Sequence, residues 1–304
     1  MRVTANMSAE TSVYNIQQSR KRLDVLQELI TSNQNVNRPS DDPISTRLLL
    51  DVGDKMKAFD QYNANIIKAK SWMQFQDTAL QGMNDIMIQT KSLMNTMPNG
   101  SNDPSERQLA HDQLVELKKQ LIDFANTQYG DQYIFGGADN LTPPFNYANN
   151  TYAGDPTERQ FEIASATSQT ISITGDRLLL GVGTNPSYGT TDILKTFDDL
   201  IAAVGDAATP SNPAAITAAS QSLGPATKQI FSAVNVNLSR MTRVDNMSKL
   251  NENNKNTLTS IVGNIQNVDM VKLGVQLNSE KNAFEASLAA TAKLSQLSLL
   301  DYMQ

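Results

Sequence analysis

The side chains of this sequence that could do chemistry are few. The chain contains one histidine, His111, and no cysteine. The lack of cysteine excludes thiol catalysis, a disulfide framework and the Cys/His zinc sites. His111 lies between Ala110 and Asp112 on a predicted helix, and a transition-metal site would need a second histidine or carboxylates alone. We interpret His111 as a solvated residue, neither a general base nor a ligand.

Carboxylates are the second group of candidates. Asp155, Glu158 and Glu162 could supply the carboxylate pair of a glycosidase, but such residues on a β region are more often solvated loop and edge charges. Asp41 and Asp42 could suggest calcium, yet helix capping explains Asp42, and the loop lacks further oxygen ligands at EF-hand spacing. We therefore predict no catalytic residue, no metal, no cofactor and no enzymatic activity.

Composition narrows the class of protein further. The 304 residues carry a net charge of −6, and a mildly acidic chain does not favour nucleic acid as a partner. No run of roughly 18 apolar residues is present, so we expect no membrane insertion. The N-terminus lacks an apolar signal region, which predicts a cytoplasmic protein or export without a cleaved signal peptide. Asn and Gln together number 51, while only 18 % of residues are charged, so we expect a surface made polar mostly by amides.

Prolines mark the starts of the helices that must position these side chains. A capping residue directly precedes proline at Asp42-Pro43, Asp103-Pro104 and Asn212-Pro213. Proline is favoured at the first helical position, where its missing N–H costs nothing, and Asp or Asn before it can cap the free amides. Residues 44–97 and 226–304 contain no proline, so long helices are expected in both.

A seven-residue apolar repeat follows the first of these starts, at Val52, Phe59, Ile66, Met73, Leu80, Met87 and Met94. Chance could produce one such row in the chain, but its coincidence with the proline-free stretch indicates a helix of about 80 Å. Leu114, Leu117 and Leu121 repeat on a shorter antiparallel partner. We predict that these residues form the core of a helical rod. The methionines could instead line a peptide groove, an alternative we consider less favoured.

Residues 129–190 differ in character from the helical segments. They hold 8 of the 18 aromatic residues, among Gly- and Pro-rich turns and short alternating runs. This pattern predicts a small antiparallel β domain inserted between helices. From Asn212 the chain is predicted to be helical again, with Leu223, Ile230 and Leu238 among its apolar positions and Asp269 capping a separate last helix.

Both ends of the chain are predicted to be amphipathic helices. Their apolar stripes comprise Val13, Ile16, Leu23, Leu26 and Ile30 at the N-terminus and Leu294, Leu297, Leu299 and Leu300 at the C-terminus. Neither helix can bury its stripe alone, because an isolated helix gains most of its stability from packing. We predict that these residues form an assembly interface.

These elements together predict a mainly α fold with an inserted small antiparallel β domain on a long antiparallel coiled-coil rod. We expect an N-terminal assembly helix over 1–40 and the first half of the rod over 41–128. The β domain would cover 129–190, the second half of the rod 191–268, and a C-terminal assembly helix 269–304.

Three motifs, in this order, resemble the bacterial flagellin superfamily and its hook-associated members. They are Arg38-Pro39-Ser40-Asp41-Asp42-Pro43, Tyr133-Ile134-Phe135-Gly136-Gly137 and Ser295-Gln296-Leu297-Ser298-Leu299-Leu300-Asp301-Tyr302. The resemblance covers residues 1–137 and 190–304. Members usually place a Gly and basic residues before the first motif, where this chain has Ser32–Val36; Asn33 can adopt the left-handed turn conformation there.

The resemblance implies a self-assembling structural subunit at the junction between flagellar hook and filament, serving motility. It implies an extracellular location after export through the flagellar secretion channel. The partners implied are further copies of the chain in a ring, hook-associated protein 1, flagellin, a flagellar export chaperone and the secretion apparatus. It further implies terminal helices that are disordered in the monomer and fold as coiled coils in the assembled tube.

Two alternatives stay open at this point. Flagellin, the bulk filament protein, shares the terminal helices. A secreted enzyme carried on the β domain is the second alternative, and a hydrolase assay would discriminate it.

Overall fold

The structure is a computed structural model that describes residues 5–97, 103–138, 141–147, 149–183, 188–206, 208–209 and 211–302, with side chains between residues 10 and 293. In these ranges the chain is mainly helical with small antiparallel sheets, as predicted. The helices are α1 Ala5–Ser32, α2 Pro43–Thr96, α3 Pro104–Ala125, α4 Gly175–Leu179, α5 Ile193–Val204, α6 Pro213–Gln266 and α7 Met270–Tyr302. The strands are β1 Gln128–Tyr129, β2 Gln132–Tyr133, β3 Phe145–Asn146, β4 Asn149–Tyr152, β5 Gln160–Ala164 and β6 Thr167–Thr170.

The three helix starts predicted at proline are confirmed, since α2, α3 and α6 begin at Pro43, Pro104 and Pro213. The residue before each proline accepts a hydrogen bond from a backbone N–H of the first turn: Asp42 from Ser45 at 3.0 Å, Asp103 from Ser105 at 3.4 Å, and Asn212 from Ala215 at 3.1 Å. Asp269 caps α7 in the same way, accepting from Lys272 at 3.0 Å. Each cap satisfies a donor that the helix itself leaves unpaired.

The apolar repeat of α2 faces a core shared with α3 and α6. Its members Ile66, Met73, Leu80, Met87 and Met94 are buried. Phe59, at the edge of this row, is only half-buried and packs edge-on against Tyr62, with ring centroids 6.3 Å apart. On α3, Leu114 and Leu121 are buried, and Leu117 packs against the core while partly exposed. The methionines of α2 therefore lie in the core between the helices and do not line an open groove.

Polar residues interrupt the seam between α2 and α6. Gln76 and Asn237 are fully buried, and the Gln76 amide donates to the Asn237 oxygen at 2.9 Å. Lys70 also pairs with Asp245 at 2.8 Å, so the two helices run antiparallel. Leu238, predicted to be on the apolar face of α6, is 56 % exposed, since the buried position of this turn belongs to its neighbour Asn237.

The described part of the inserted region forms three separate two-stranded antiparallel sheets: β1 with β2, β3 with β4, and β5 with β6. Such short ladders leave backbone groups without partners, and amides on the helices bind several of them. Asn65 of α2 and Asn251 of α6 donate to the carbonyls of Glu162 and Ile163 in β5. Gln229 of α6 donates in the same way to the carbonyl of Leu178 in α4. Gln229 and Asn251 are buried, so these two amides bind the protein's own backbone and do not contribute to its polar surface.

The Tyr133–Gly137 motif anchors the insert. Ile134 and Phe135 are fully buried, and the Gly136 carbonyl accepts from the N–H of Asp155 at 2.9 Å. Gly137 has a φ of +73°, and a Cβ at this position would lie 1.7 Å from the Asp155 carbonyl oxygen. Only glycine fits both the left-handed backbone and this close approach.

The chain divides into two compact units, one containing residues 1–58 with 254–304 and the other containing 59–253. The second unit holds the hydrophobic core. In the first unit, the buried side chains among those described are Ser19, Val52 and Leu273. In the described part of the chain, no helix is long and apolar enough to cross a membrane.

Candidate assembly interface

The candidate site lies in the unit formed by the two ends of the chain, where α1 and α7 pack against each other. Ser19 of α1 contacts Glu280 of α7, and beyond the end of α1 the N–H of Asn35 donates to the carbonyl of Gln266, the last residue of α6, at 2.7 Å. Because residue numbers rise on one helix as they fall on the other, the pair is antiparallel. The two predicted apolar stripes, one near each end of the chain, therefore belong to helices that pack on each other, α1 and α7.

The turn after α1 is shaped by local polar contacts. Asn33 has a φ of +53°, which confirms the left-handed conformation predicted for it. The Asp41 carboxylate accepts from the N–H of Arg38 at 2.9 Å, and the Arg38 guanidinium pairs with Glu28 of α1 at 2.9 Å. The Arg38–Pro43 motif is thus a turn that ends in the cap of α2.

A polar contact crosses the middle of the pair. Glu280 accepts from the Ser19 hydroxyl at 2.9 Å and from Arg22 Nε at 2.6 Å. The hydrogen bonds from Arg22 and then Ser19 hold the pKa of Glu280 below its ordinary value, because both favour the charged carboxylate. The contact pairs specific residues of the two helices, so it favours a single register of the pair.

The predicted interface residues of α1 differ in exposure. Ile16, Leu23, Leu26 and Ile30 are half-buried, and Val13 is 50 % exposed. The side chains of Leu294, Leu297, Leu299 and Leu300 lie outside the described ones. The assignment of these residues to contacts between subunits therefore stays a prediction.

Ser19 and Leu273, the buried side chains among those described on α1 and α7, belong to neither of the predicted stripes. The helical spacing does predict that Ser19 is buried, because it lies three residues after Ile16 and four before Leu23, on the same face of α1. A serine is not an apolar residue, so a search for apolar rows passed over it. Leu273 begins a similar repeat on α7, continued by Leu277 and Glu280.

Much apolar surface of the pair remains open to solvent. Tyr14 and Val25 on α1 are 60 % and 48 % exposed, and Val271 and Val275 on α7 are 80 % and 66 % exposed. A groove between the helices is lined by two apolar residues, Val25 and Leu26, and by six polar or charged ones: Gln18, Lys21, Arg22, Gln276, Ser279 and Glu280. Exposed apolar side chains on both helices are candidates for contact with another protein.

The carboxylates considered for catalysis have structural partners instead. Glu158 lies 3.6 Å from both Arg177 and Arg240, in a largely buried cluster. Hydrogen bonds from the Thr157 hydroxyl and then from its backbone N–H lower the pKa of Asp155. His111 contacts the neighbouring Asp112 at 3.2 Å. Among the described residues, no three His, Cys, Asp or Glu side chains are grouped so that they could hold a metal ion.

Comparison with known proteins relates this architecture to the flagellum. Residues 3–140 match the bacterial flagellin N-terminal helical region. Flagellar hook-associated protein 3 of Escherichia coli is 23 % identical over 211 residues, or 67 % of either chain. The protein of the same name from Salmonella typhimurium is 23 % identical over 61 % of this chain and 59 % of its own length. The chain is related to flagellar hook-associated protein 3.

Solved structures show the same fold. The flagellar hook-associated protein 3 of Legionella pneumophila aligns with a TM-score of 0.60 and 15 % identity, over 72 % of this chain and 98 % of that structure. At this identity the likeness establishes the fold alone. It agrees with the helical rod and inserted small sheets described above.

Proposed function

We propose that this chain is a structural subunit of the bacterial flagellum and forms the junction between hook and filament. The observation that carries the proposal is the terminal helical pair, which leaves apolar surface open in a chain related to hook-associated protein 3. A monomer gains nothing from this exposed surface, whereas a ring of subunits would bury it in every interface.

We expect assembly through the terminal helices because, packed only on each other, they bury few of their side chains. In the unit 1–58 with 254–304, few described side chains are buried, while the unit 59–253 holds the core. Contacts with neighbouring subunits would supply the missing burial. We infer that the terminal helices are disordered in the free monomer and order on assembly.

The partners proposed are other copies of the chain, hook-associated protein 1 on the hook side and flagellin on the filament side. Before assembly, an export chaperone would cover the terminal helices until the secretion apparatus accepts the chain. The location proposed is the extracellular flagellum, reached without cleavage of a signal peptide.

We also infer a structural role without enzymatic activity. Glu158, one of the carboxylates considered for catalysis, lies 3.6 Å from both Arg177 and Arg240 in a largely buried cluster, an arrangement typical of a structural ion-pair network. Flagellin remains the competing function, since the flagellin N-terminal region is shared.

Electron microscopy of flagella from a deletion strain tests the proposal. We expect complete hooks without filaments, with flagellin shed into the medium. Complementation with Leu26→Asp should fail, because Leu26 lies half-buried in the groove, whereas Gln27→Asp at the exposed neighbouring position should restore filaments. An immunoblot of the medium should detect both variants.

Normal filaments in the deletion strain would contradict the proposal. Mass spectrometry of purified filaments distinguishes flagellin, because a bulk filament protein would be the main component and a junction subunit only a trace. If the chain is the main component, it is the filament protein and the junction assignment is wrong.

A further inference from the structure

An open cleft lies at the end of α3, beside the hairpins β1–β2 and β3–β4. Its volume is about 710 Å³, within the range of small-molecule sites. Three aromatic side chains line it: Phe145, which is buried, Tyr133, which is half-buried, and Tyr147, which is 56 % exposed. The cleft belongs wholly to the unit 59–253 and is separate from the terminal helices.

The aromatic groups are held in place by polar contacts. The Tyr147 hydroxyl donates to the carboxylate of Asp123, and this bond raises the pKa of Tyr147. Asn126 binds the backbone of Phe145 with both amide atoms, donating to its carbonyl at 2.9 Å and accepting from its N–H at 3.1 Å. An exposed tyrosine ring fixed in this way loses less conformational freedom when a ligand packs on it.

The remaining lining groups are neutral amides and hydroxyls. Gln128, Asn149 and Thr151 contribute both hydrogen-bond donors and acceptors. The described lining includes one carboxylate, from Asp123, and no Lys, Arg or His. A phosphate or other anion would therefore find no cation to pair with. The one carboxylate, Asp123, already accepts from the Tyr147 hydroxyl, so the lining favours a neutral ligand over a cationic one.

We propose that this cleft binds a neutral oligosaccharide. The apolar C–H face of a sugar can pack on a tyrosine ring, whose face carries the negative end of the aromatic quadrupole. The sugar hydroxyls are both donors and acceptors, which matches the amides and hydroxyls of the lining. The proposal is independent of the junction role, because it concerns a different unit of the chain.

The test is isothermal titration of the full chain with maltotriose, cellotriose and triacetylchitotriose. We expect at least one trisaccharide to bind at millimolar concentration. Tyr147→Ala should weaken that binding about tenfold or more, and Tyr147→Phe, which keeps the ring and loses the bond to Asp123, should have an intermediate effect. Tyr14→Ala changes a tyrosine of similar exposure outside the cleft and should leave the affinity unchanged.

Two results would overturn the proposal. One is the absence of binding for all three sugars at about 10 mM, or binding that Tyr147→Ala does not change. The other is Tyr147-dependent binding of oligolysine in preference to the sugars, which would assign the cleft to a basic peptide attracted by Asp123. Thermal melting of each variant checks that the fold is intact.

Discussion

At the scale of single residues, buried amides connect the helical and β parts of the unit 59–253. Asn237 donates to the Met73 carbonyl at 3.0 Å and accepts from Gln76, whose own oxygen accepts from the N–H of Ile173 at 3.1 Å. This chain of hydrogen bonds leads from α6 through α2 to the backbone beyond β6. Removing one member leaves its buried partner unsatisfied, which costs more than the bond itself contributes.

Asn237→Ala should lower the free energy of unfolding by about 1–3 kcal/mol, because the Gln76 amide loses its acceptor in the interior. Denaturant unfolding followed by circular dichroism measures the change. Asn235→Ala, at an exposed position on the same helix, is the matched control and should change it by less than about 0.5 kcal/mol. Equal effects of the two substitutions would contradict the role of the buried amide.

A second residue-scale prediction concerns alkaline pH. Burial raises the pKa of Tyr188 to about 12, and its hydroxyl donates to Glu158 at 3.4 Å. The unfolded tyrosine ionises near pH 10, so the folded state resists losing this proton. The stabilisation is complete below about pH 10 and is lost as the pH rises toward 12, with a slope of up to about 1.4 kcal/mol per pH unit.

Tyr188→Phe should remove this part of the pH dependence when the free energy of unfolding is compared between pH 9 and 12, about the range in which the tyrosine titrates. Tyr14→Phe, at an exposed position, should follow the parent curve. A parent-like slope for Tyr188→Phe would show that another group causes the alkaline loss.

At the scale of elements, the two faces of α2 differ sharply. Leu80 is fully buried in the core, and Ile88 on the same helix is 53 % exposed. Both are apolar and helical, so composition alone does not separate them. Their position relative to the seven-residue repeat does, because Leu80 belongs to it and Ile88 does not.

Leu80→Ala should destabilise the chain by about 2–5 kcal/mol, the usual cost of a cavity in a packed core. Ile88→Ala removes a similar side chain from an exposed site, and its cost should stay within about 1 kcal/mol. Chemical denaturation of the two variants measures the difference. Equal losses would indicate that the repeat does not define the core.

At the scale of the whole molecule, the two units differ in how much they bury. The core residues belong to the unit 59–253, and the unit formed by the chain ends depends mainly on α1 and α7 packing together. Local stability follows burial, so the ends should open far more often than the core.

Limited proteolysis of the free monomer should remove about forty residues from each end and leave a stable fragment containing 44–250. Mass spectrometry of the time course identifies the fragments. The same digestion after assembly should spare the ends, because subunit contacts then cover them. Uniform resistance of the ends in the monomer would contradict the proposal that they order on assembly.

The sequence was sufficient to predict the helix starts, the α2 core and the capped last helix. Each depends on local chemistry or on a period along one helix: Pro43 after Asp42, the row from Ile66 to Met94, and Asp269 before α7. These helix starts, caps and repeats can be predicted from sequence because each is formed by residues that lie close together in the chain. The motif at Tyr133–Gly137 was also found, but its cause, the close approach of Asp155 to Gly137, was not.

Only the tertiary structure decided which polar residues are buried and what they bind. Asn237 and Ser19 occupy seam positions because partners from distant segments, Gln76 and Glu280, satisfy their hydrogen bonds. Nothing near them in sequence reveals those partners, since the cost of burying a polar group depends on contacts across the fold. For the same reason, the sequence pointed to both amphipathic ends, while their antiparallel pairing and register came from the packing of α1 against α7.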